Sequence, residues 1–151
     1  MQLDTALGQD ETVQKEYEFS YSLLLFFLKS HFWLTNKRLI VNAPNVFLFI
    51  PTGNDTVTYP LRNIGGVKTK AELKFMSLLG GVVLLLIGLS AIRSIGILLI
   101  LLGASTIIGA FRTSIGVGSG SGGLVLYSYL PWEAEDAKKM INELNQLIAD
   151  I

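Results

Sequence analysis

Two adjoining apolar segments dominate the chain: residues 75–92 read FMSLLGGVVLLLIGLSAI, and residues 94–111 read SIGILLILLGASTIIGAF. Neither segment contains a charged residue, and only Arg93 separates them. At about 1.5 Å of rise per residue, a helix of either segment is about 27 Å long, close to the ~30 Å hydrocarbon core of a bilayer. The sequence therefore predicts a transmembrane helical hairpin over residues 75–111.

The alternative is a hairpin buried in the core of a soluble domain. Two helices that are apolar on every side need a thick covering of other structure. The chain has 151 residues, which suffice for one ordinary domain and leave too little mass to cover both helices. The sequence therefore favours the membrane, and a composition of 50% hydrophobic and 16% charged residues points the same way.

Basic residues flank the apolar segments on the side of both chain termini. Lys68, Lys70 and Lys74 precede the first segment, and Arg112 follows the second. Cytoplasmic flanks of transmembrane helices are enriched in Lys and Arg, and each such residue near an anionic leaflet contributes about 1 kcal/mol. We therefore expect these four residues to anchor an integral protein of the cytoplasmic membrane, with both termini in the cytoplasm.

Small residues recur at every seventh position in the two apolar segments. They are Gly81 and Gly88 in the first segment, and Gly96, Gly103 and Ala110 in the second. This spacing places them on one seam of each helix, where small side chains let two backbones approach closely. We expect the seam to pack the two helices together. The alternative is that the seam, or Ser105 and Gly109 on another face, packs against another subunit.

The segments around the apolar residues predict a sheet and a covering helix. Residues 15–69 are rich in aromatic and β-branched residues and are divided by polar turn signals. Residues 113–118 and 123–130 flank a serine-glycine turn. Residues 131–151 change period, because Ala137, Met140, Ile141, Leu144, Leu147, Ile148 and Ile151 recur at spacings of three and four. We expect several strands before the hairpin, two after it, and an amphipathic C-terminal helix that covers the sheet.

One apolar run has two possible roles. It consists of Leu23, Leu24, Leu25, Phe26, Phe27 and Leu28, and it lacks the alternation of a half-exposed strand. Either it is a core strand that is buried on both faces, or it contacts lipid or a partner.

Composition and motifs argue against catalysis and against nucleic-acid binding. The 12 basic and 12 acidic residues balance, so no positive field attracts phosphates, and there is no cysteine. His31 is the single histidine; nearby sequence supplies it with neither metal ligands nor a nucleophile, and we expect it at the surface or an interface. We therefore predict no enzymatic activity, no cofactor, no bound metal and no small-molecule substrate.

Two short motifs have a phosphate-binding alternative. Gly118, Gly120 and Gly123 match GxGxxG, but a strand rather than a helix follows them, which favours a hairpin tip. Lys37 and Arg38 lie in TNKR, which suits a solvated tight turn between two strands.

The predicted order of elements, together with several short motifs, resembles the bacterial pleckstrin-homology-like (PH-like) domain family. The motifs are WLTNKRLIV at 33–41, YPLRNIGGVKT at 59–69, LVLYSYL at 124–130 and AEDAKKMINELNQLI at 134–148. The resemblance implies an α+β fold: a PH-like β-barrel or sandwich with a C-terminal amphipathic helix. The domain would comprise residues 15–74 and 112–151, preceded by a polar segment at 1–14 and interrupted by the transmembrane hairpin at 75–111.

The family resemblance implies binding or scaffolding rather than catalysis. We therefore expect a non-enzymatic, membrane-anchored module that is a scaffold, an accessory subunit of a larger membrane complex or a homo-oligomer, with membrane lipid as a further partner. The competing functions are an oligomeric pore or transport component and a lipid-sensing domain.

Overall fold

A computed structural model describes residues 5–23, 25–47, 50–120 and 122–151. In these residues the chain forms seven strands and three α-helices. The strands are β1 (Val13–Ser20), β2 (Lys29–Thr35), β3 (Arg38–Phe47), β4 (Ile50–Pro60), β5 (Ile64–Leu73), β6 (Phe111–Ser119) and β7 (Leu124–Tyr129). The helices are α1 (Phe75–Ser90), α2 (Gly96–Ala110) and α3 (Ala134–Ala149), and short 3-10 turns cover Leu61–Asn63 and Pro131–Glu133.

The strands form two antiparallel sheets that share one hydrophobic core. The first sheet has the order β1-β2-β3-β4, and the second has the order β5-β6-β7. Alternate residues of β2, β3 and β6 belong to this core, among them Phe32 and Leu34, Leu39 and Val41, and Ile115 and Val117. Aromatic rings join the sheets there: Phe32 of β2 meets Tyr127 of β7 at 5.3 Å between ring centroids, and Phe19 of β1 meets Tyr129 at 6.0 Å.

Helix α3 covers this core with its apolar stripe. Ala137, Met140, Ile141 and Leu144 are buried, and the helix packs mainly against β5. Its polar residues also bind the first sheet, because the Tyr17 hydroxyl donates a 2.8 Å hydrogen bond to Glu143 Oε2. The helix therefore holds β1 and β5, one strand of each sheet, in one unit.

Helices α1 and α2 extend directly from the strand pair β5–β6. Leu73, at the end of β5, pairs with Phe111, at the start of β6, and the Lys74 amide donates to the Ala110 carbonyl at 2.8 Å. At the far end, residues 91–95 form turns, closed by a 2.9 Å bond from the Gly96 amide to the Ala91 carbonyl. We call α1 and α2 the helical pair.

The structure contradicts the predicted transmembrane hairpin. Helix α1 has 16 residues and α2 has 15, because residues 91–95 are used by the turn and Phe111 belongs to β6. At about 1.5 Å per residue, α1 is about 24 Å long, against the ~30 Å of a hydrocarbon core. Among the described residues, no helix is both long enough and apolar enough to cross a membrane.

The predicted fold class and location are corrected accordingly. The strands outside the helical pair form two antiparallel sheets, and the interruption between β5 and β6 is a pair of short helices rather than two spans. The prediction of an integral protein of the cytoplasmic membrane depended on those spans, and it is contradicted with them. The error arose because an uninterrupted apolar run was taken as an uninterrupted helix.

Candidate functional site

The buried residues of the helical pair are all small. The buried positions are Gly81 and Gly88 in α1, and Gly96, Gly103, Ser105 and Ala110 in α2. A Cβ atom added to Gly103 would lie 2.9 Å from both the Gly81 carbonyl oxygen and the Leu85 nitrogen. The two backbones are therefore in contact, which only glycine permits at these positions. The seam predicted from the sevenfold spacing lies between the two helices of one chain.

The outer surface of the helical pair consists of large apolar side chains. Those exposed to solvent are Phe75, Met76, Leu79, Val82, Val83, Leu86, Ile87 and Leu89 in α1, and Ile97, Leu98, Leu101 and Leu102 in α2. The largest apolar patch of an ordinary monomer is about 300–600 Å² and is often functional. An apolar surface that runs the length of two helices therefore indicates a contact surface.

An apolar cleft lies where the helical pair joins the second sheet. It has a volume of about 520 Å³, and its lining includes Leu73, Ile108, Phe111 and Trp132. Trp132, in the turn before α3, is 61% exposed. The cleft continues the apolar surface of the helical pair onto the sheet, so the two features form one surface.

The predicted anchoring residues lie on or next to the strands that lead into and out of the helical pair. Lys68 and Lys70 are two residues apart in β5, and Arg112 of β6 pairs with Glu72, two residues further along β5. These side chains therefore share one face of the second sheet. Lys74 directly precedes α1. Lys70 forms an ion pair with Glu72, and this contact lowers the pKa of the Glu72 carboxyl. Their role at a membrane surface stays a prediction.

The apolar run 23–28 lies in the connection between β1 and β2. Its described residues are outside any strand, so the core-strand alternative is wrong. Leu25 is buried, whereas Phe26 and Phe27 are exposed and contact each other edge to face at 6.0 Å. Leu23 and Leu28 are half-buried, and Leu24 lies outside the described residues. The run remains a candidate contact for a partner or lipid.

The glycine motif connects two strands. Gly118 belongs to β6, Gly120 follows that strand, and Gly123 directly precedes β7. A dinucleotide site needs a helix N-terminus after the glycines to receive the pyrophosphate. A strand stands there instead, so the geometry is that of a β-hairpin tip.

Lys37 and Arg38 bind the chain's own N-terminal segment. Arg38 Nε donates a 2.7 Å hydrogen bond to Glu11 Oε1, and Lys37 Nζ donates to the Gln9 carbonyl. The bond from Arg38 is the main reason that the pKa of Glu11 falls to about 2, with further bonds from the Gly8 amide and the Thr35 hydroxyl. These contacts fasten the N-terminal segment to the β2–β3 turn.

Three side chains that could ligate a metal, those of Glu16, Glu18 and His31, lie together on the outer face of the first sheet. Glu18 of β1 pairs with His31 of β2, and Glu16 lies two residues before Glu18 on the same face. His31 Nδ1 is 3.3 Å from Glu18 Oε1 and 3.9 Å from Glu16 Oε1. His31 is only 7% exposed, so the expected surface position is wrong, whereas the interface alternative stays a prediction.

Sequence analysis missed this cluster because His31 is 13 or more residues from both glutamates and is joined to them only by strand register. The available signal was the Glu-x-Glu spacing at 16–18, which puts both carboxylates on one face of a strand. Without the register of β1 against β2, that signal does not identify the partner.

Comparison with known proteins finds no matching family model, no matching curated protein and no matching solved structure. The resemblance to the bacterial PH-like family therefore depends on the short motifs quoted above and stays a prediction.

Proposed function

We propose that the protein is a non-catalytic interaction module that assembles with a second copy of itself through the outer surface of the helical pair. The observation that carries the proposal is the inverted packing of the pair, with glycines inside and large apolar side chains outside. Burying apolar surface is favourable by about 25 cal/mol per Å². Covering a surface of this kind with another apolar surface is therefore favourable.

The absence of charge restricts the identity of the partner. Between Phe75 and Phe111 the single charged residue is Arg93, which lies in the turn at the tip. A partner must therefore present an uncharged surface about 24 Å long, and the same helices of a second copy have that length and composition. A two-fold axis would place identical surfaces against each other, the commonest arrangement of homodimers.

Small residues on the outside of the pair support close packing of two copies. A Cβ atom added to Gly80 of α1 or to Gly109 of α2 would meet nothing within 4 Å. Each glycine therefore leaves a notch into which an apolar side chain of the second copy fits. Small residues at such positions are typical where helix backbones approach closely.

Cysteine crosslinking of the full chain tests the proposal, because the native sequence contains no cysteine. Val83→Cys and Leu86→Cys place a thiol on the exposed surface of α1, and Gln146→Cys places one on the exposed side of α3 as a matched control. In mild detergent we expect disulfide-linked dimers from at least one α1 variant and none from the control. A disulfide needs Cα atoms within about 7 Å, so crosslinking reports direct contact.

A charge substitution gives the complementary test. Leu101 is 63% exposed, so Leu101→Glu should leave the fold intact while placing an unpaired charge in the interface. We expect it to convert the dimer to monomer in light scattering, whereas Gln146→Glu should not. A wild-type chain that is monomeric throughout the tested concentrations would overturn the proposal. If that monomer bound phosphatidylcholine–phosphatidylglycerol vesicles, lipid rather than a second copy would be the partner.

A further inference from the structure

The cluster of Glu16, Glu18 and His31 contains a buried nitrogen without a hydrogen bond. Among the described residues, two buried side-chain polar atoms make no hydrogen bond, His31 Nδ1 and Asn42 Oδ1. Asn42 is the residue of β3 that pairs with His31. Leaving a buried polar atom unpaired costs about 1–3 kcal/mol, so native structures rarely do it without a reason. The unpaired Nδ1 of His31 faces the carboxylates of Glu16 and Glu18, so this position could receive a ligand that all three side chains contact.

The distances between the cluster atoms fit a small metal ion. Nδ1 of His31 and one carboxylate oxygen from each glutamate all lie within 4.8 Å of one another. Metal–ligand bonds of about 2.0–2.2 Å in tetrahedral geometry require ligand atoms about 3.3–3.6 Å apart. The distance from His31 Nδ1 to Glu18 Oε1 is 3.3 Å, and the side chain of Glu16, which is 46% exposed, is free to close its 3.9 Å distance.

We propose that Glu16, Glu18 and His31 bind a divalent first-row transition metal ion such as Zn²⁺. The two carboxylates balance the charge of the ion, and an imidazole nitrogen suits Zn²⁺, Fe²⁺ or Ni²⁺ and disfavours Mg²⁺ and Ca²⁺, which prefer oxygen ligands. The ion would join the edge strand β1 to β2, since the ligands come from both strands.

Neighbouring side chains orient two of the three ligands. Lys29 Nζ donates a 2.9 Å hydrogen bond to Glu18 Oε2, which turns the other oxygen of that carboxylate towards His31. Trp33 stacks on the imidazole with ring centroids 5.5 Å apart and an interplanar angle of 14°, which holds the ring in place. Such supporting contacts are usual around metal ligands and strengthen binding.

Nuclear magnetic resonance of the full chain gives a direct test, because His31 is the single histidine and its imidazole signals need no assignment. On titration with Zn²⁺ we expect the Nδ1 resonance to shift and saturate at one ion per chain, whereas Mg²⁺ should leave it unchanged. An Nδ1 resonance that does not respond to Zn²⁺ would overturn the proposal.

Substitution of the carboxylates tests the ligand set without disturbing the core. Glu16→Gln removes a half-exposed carboxylate, and we expect it to lower Zn²⁺ affinity by about tenfold or more, as Glu18→Gln should. Glu135→Gln, on the exposed side of α3, is the matched control and should leave affinity unchanged. Equal affinities for wild type, Glu16→Gln and Glu18→Gln would show that the two carboxylates do not bind the ion.

Discussion

The helical pair and helix α3 differ in the kind of residue that they bury. In α3 the buried residues include Met140 and Leu144, both fully buried, while its polar side faces solvent. In the helical pair the buried residues are mostly glycines, and residues such as Leu86 and Leu101 are 60% or more exposed. The difference teaches that apolar content does not determine which side of a helix is buried.

The physical reason lies in periodicity. Helix α3 separates apolar from polar residues around its circumference, so one side only can enter the core. The helices of the pair are apolar on every side, so the hydrophobic effect gives them no preferred side. Close backbone approach then decides their contact, and it selects glycine.

The largest expected effect distinguishes a buried leucine from an exposed one. Leu144→Ala in α3 removes a fully buried side chain from the shared core, and we expect a loss of about 2–5 kcal/mol in the free energy of unfolding. For the chain as a monomer, below the concentration at which it dimerises, Leu101→Ala in α2, which is 63% exposed, should change it by less than about 0.5 kcal/mol. Denaturant unfolding of the monomer measures both, and equal losses would mean that the two helices are equally buried.

The pH dependence of stability should come from the sheets and not from the helical pair. Because Arg38 lowers the pKa of Glu11 to about 2 from an ordinary value of 4.5, the ionised carboxylate stabilises the folded state by about 3 kcal/mol. This stabilisation is complete above about pH 5 and is lost as the pH falls towards 2.

Unfolding measured between pH 7 and pH 2.5 tests this expectation. Glu11→Gln should be less stable than wild type at pH 7 and should lose less stability on acidification. A wild-type protein whose stability is constant across this range would contradict the role of the Glu11–Arg38 pair.

A smaller effect should separate an inner glycine from an outer one. A Cβ atom on Gly103 would lie 2.9 Å from backbone atoms of α1, so Gly103→Ala should destabilise the pair by about 1–3 kcal/mol. Gly80→Ala is the matched control, because a Cβ atom there meets nothing within 4 Å. Alanine favours a helix over glycine by about 1 kcal/mol, so Gly80→Ala should stabilise the helical pair of the monomer, in which no second copy lies against Gly80. Destabilisation of the monomer by both substitutions would show that the outside of α1 also contacts another part of the same chain.

The smallest expected effect concerns the solvated side of α3. Lys139 forms an exposed 3.3 Å ion pair with Asp136, and such pairs contribute less than about 0.5 kcal/mol. Lys139→Ala should therefore leave the melting temperature nearly unchanged at low and high salt. A loss above about 1 kcal/mol would mean that this side of α3 is not simply solvated and would weaken the contrast with the helical pair.

Local chemistry determined several features of this protein from its sequence alone. The period of 3.6 in residues 134–149 indicates which side of α3 is buried, and the sevenfold spacing of Gly81 and Gly88 indicates which residues of α1 face a neighbouring helix. These features depend on residues within one element, whose relative positions the geometry of that element sets.

Tertiary structure alone decided the lengths of α1 and α2 and the composition of the candidate metal site. The turn at 91–95 and the pairing of Phe111 with Leu73 shorten two apolar runs into helices of 16 and 15 residues. The register of β1 against β2 brings Glu18 to His31. Both features depend on contacts between elements, about which the hydropathy of a single segment carries no information. In the sheet, a one-residue shift in register would move every side chain to the other face of a strand.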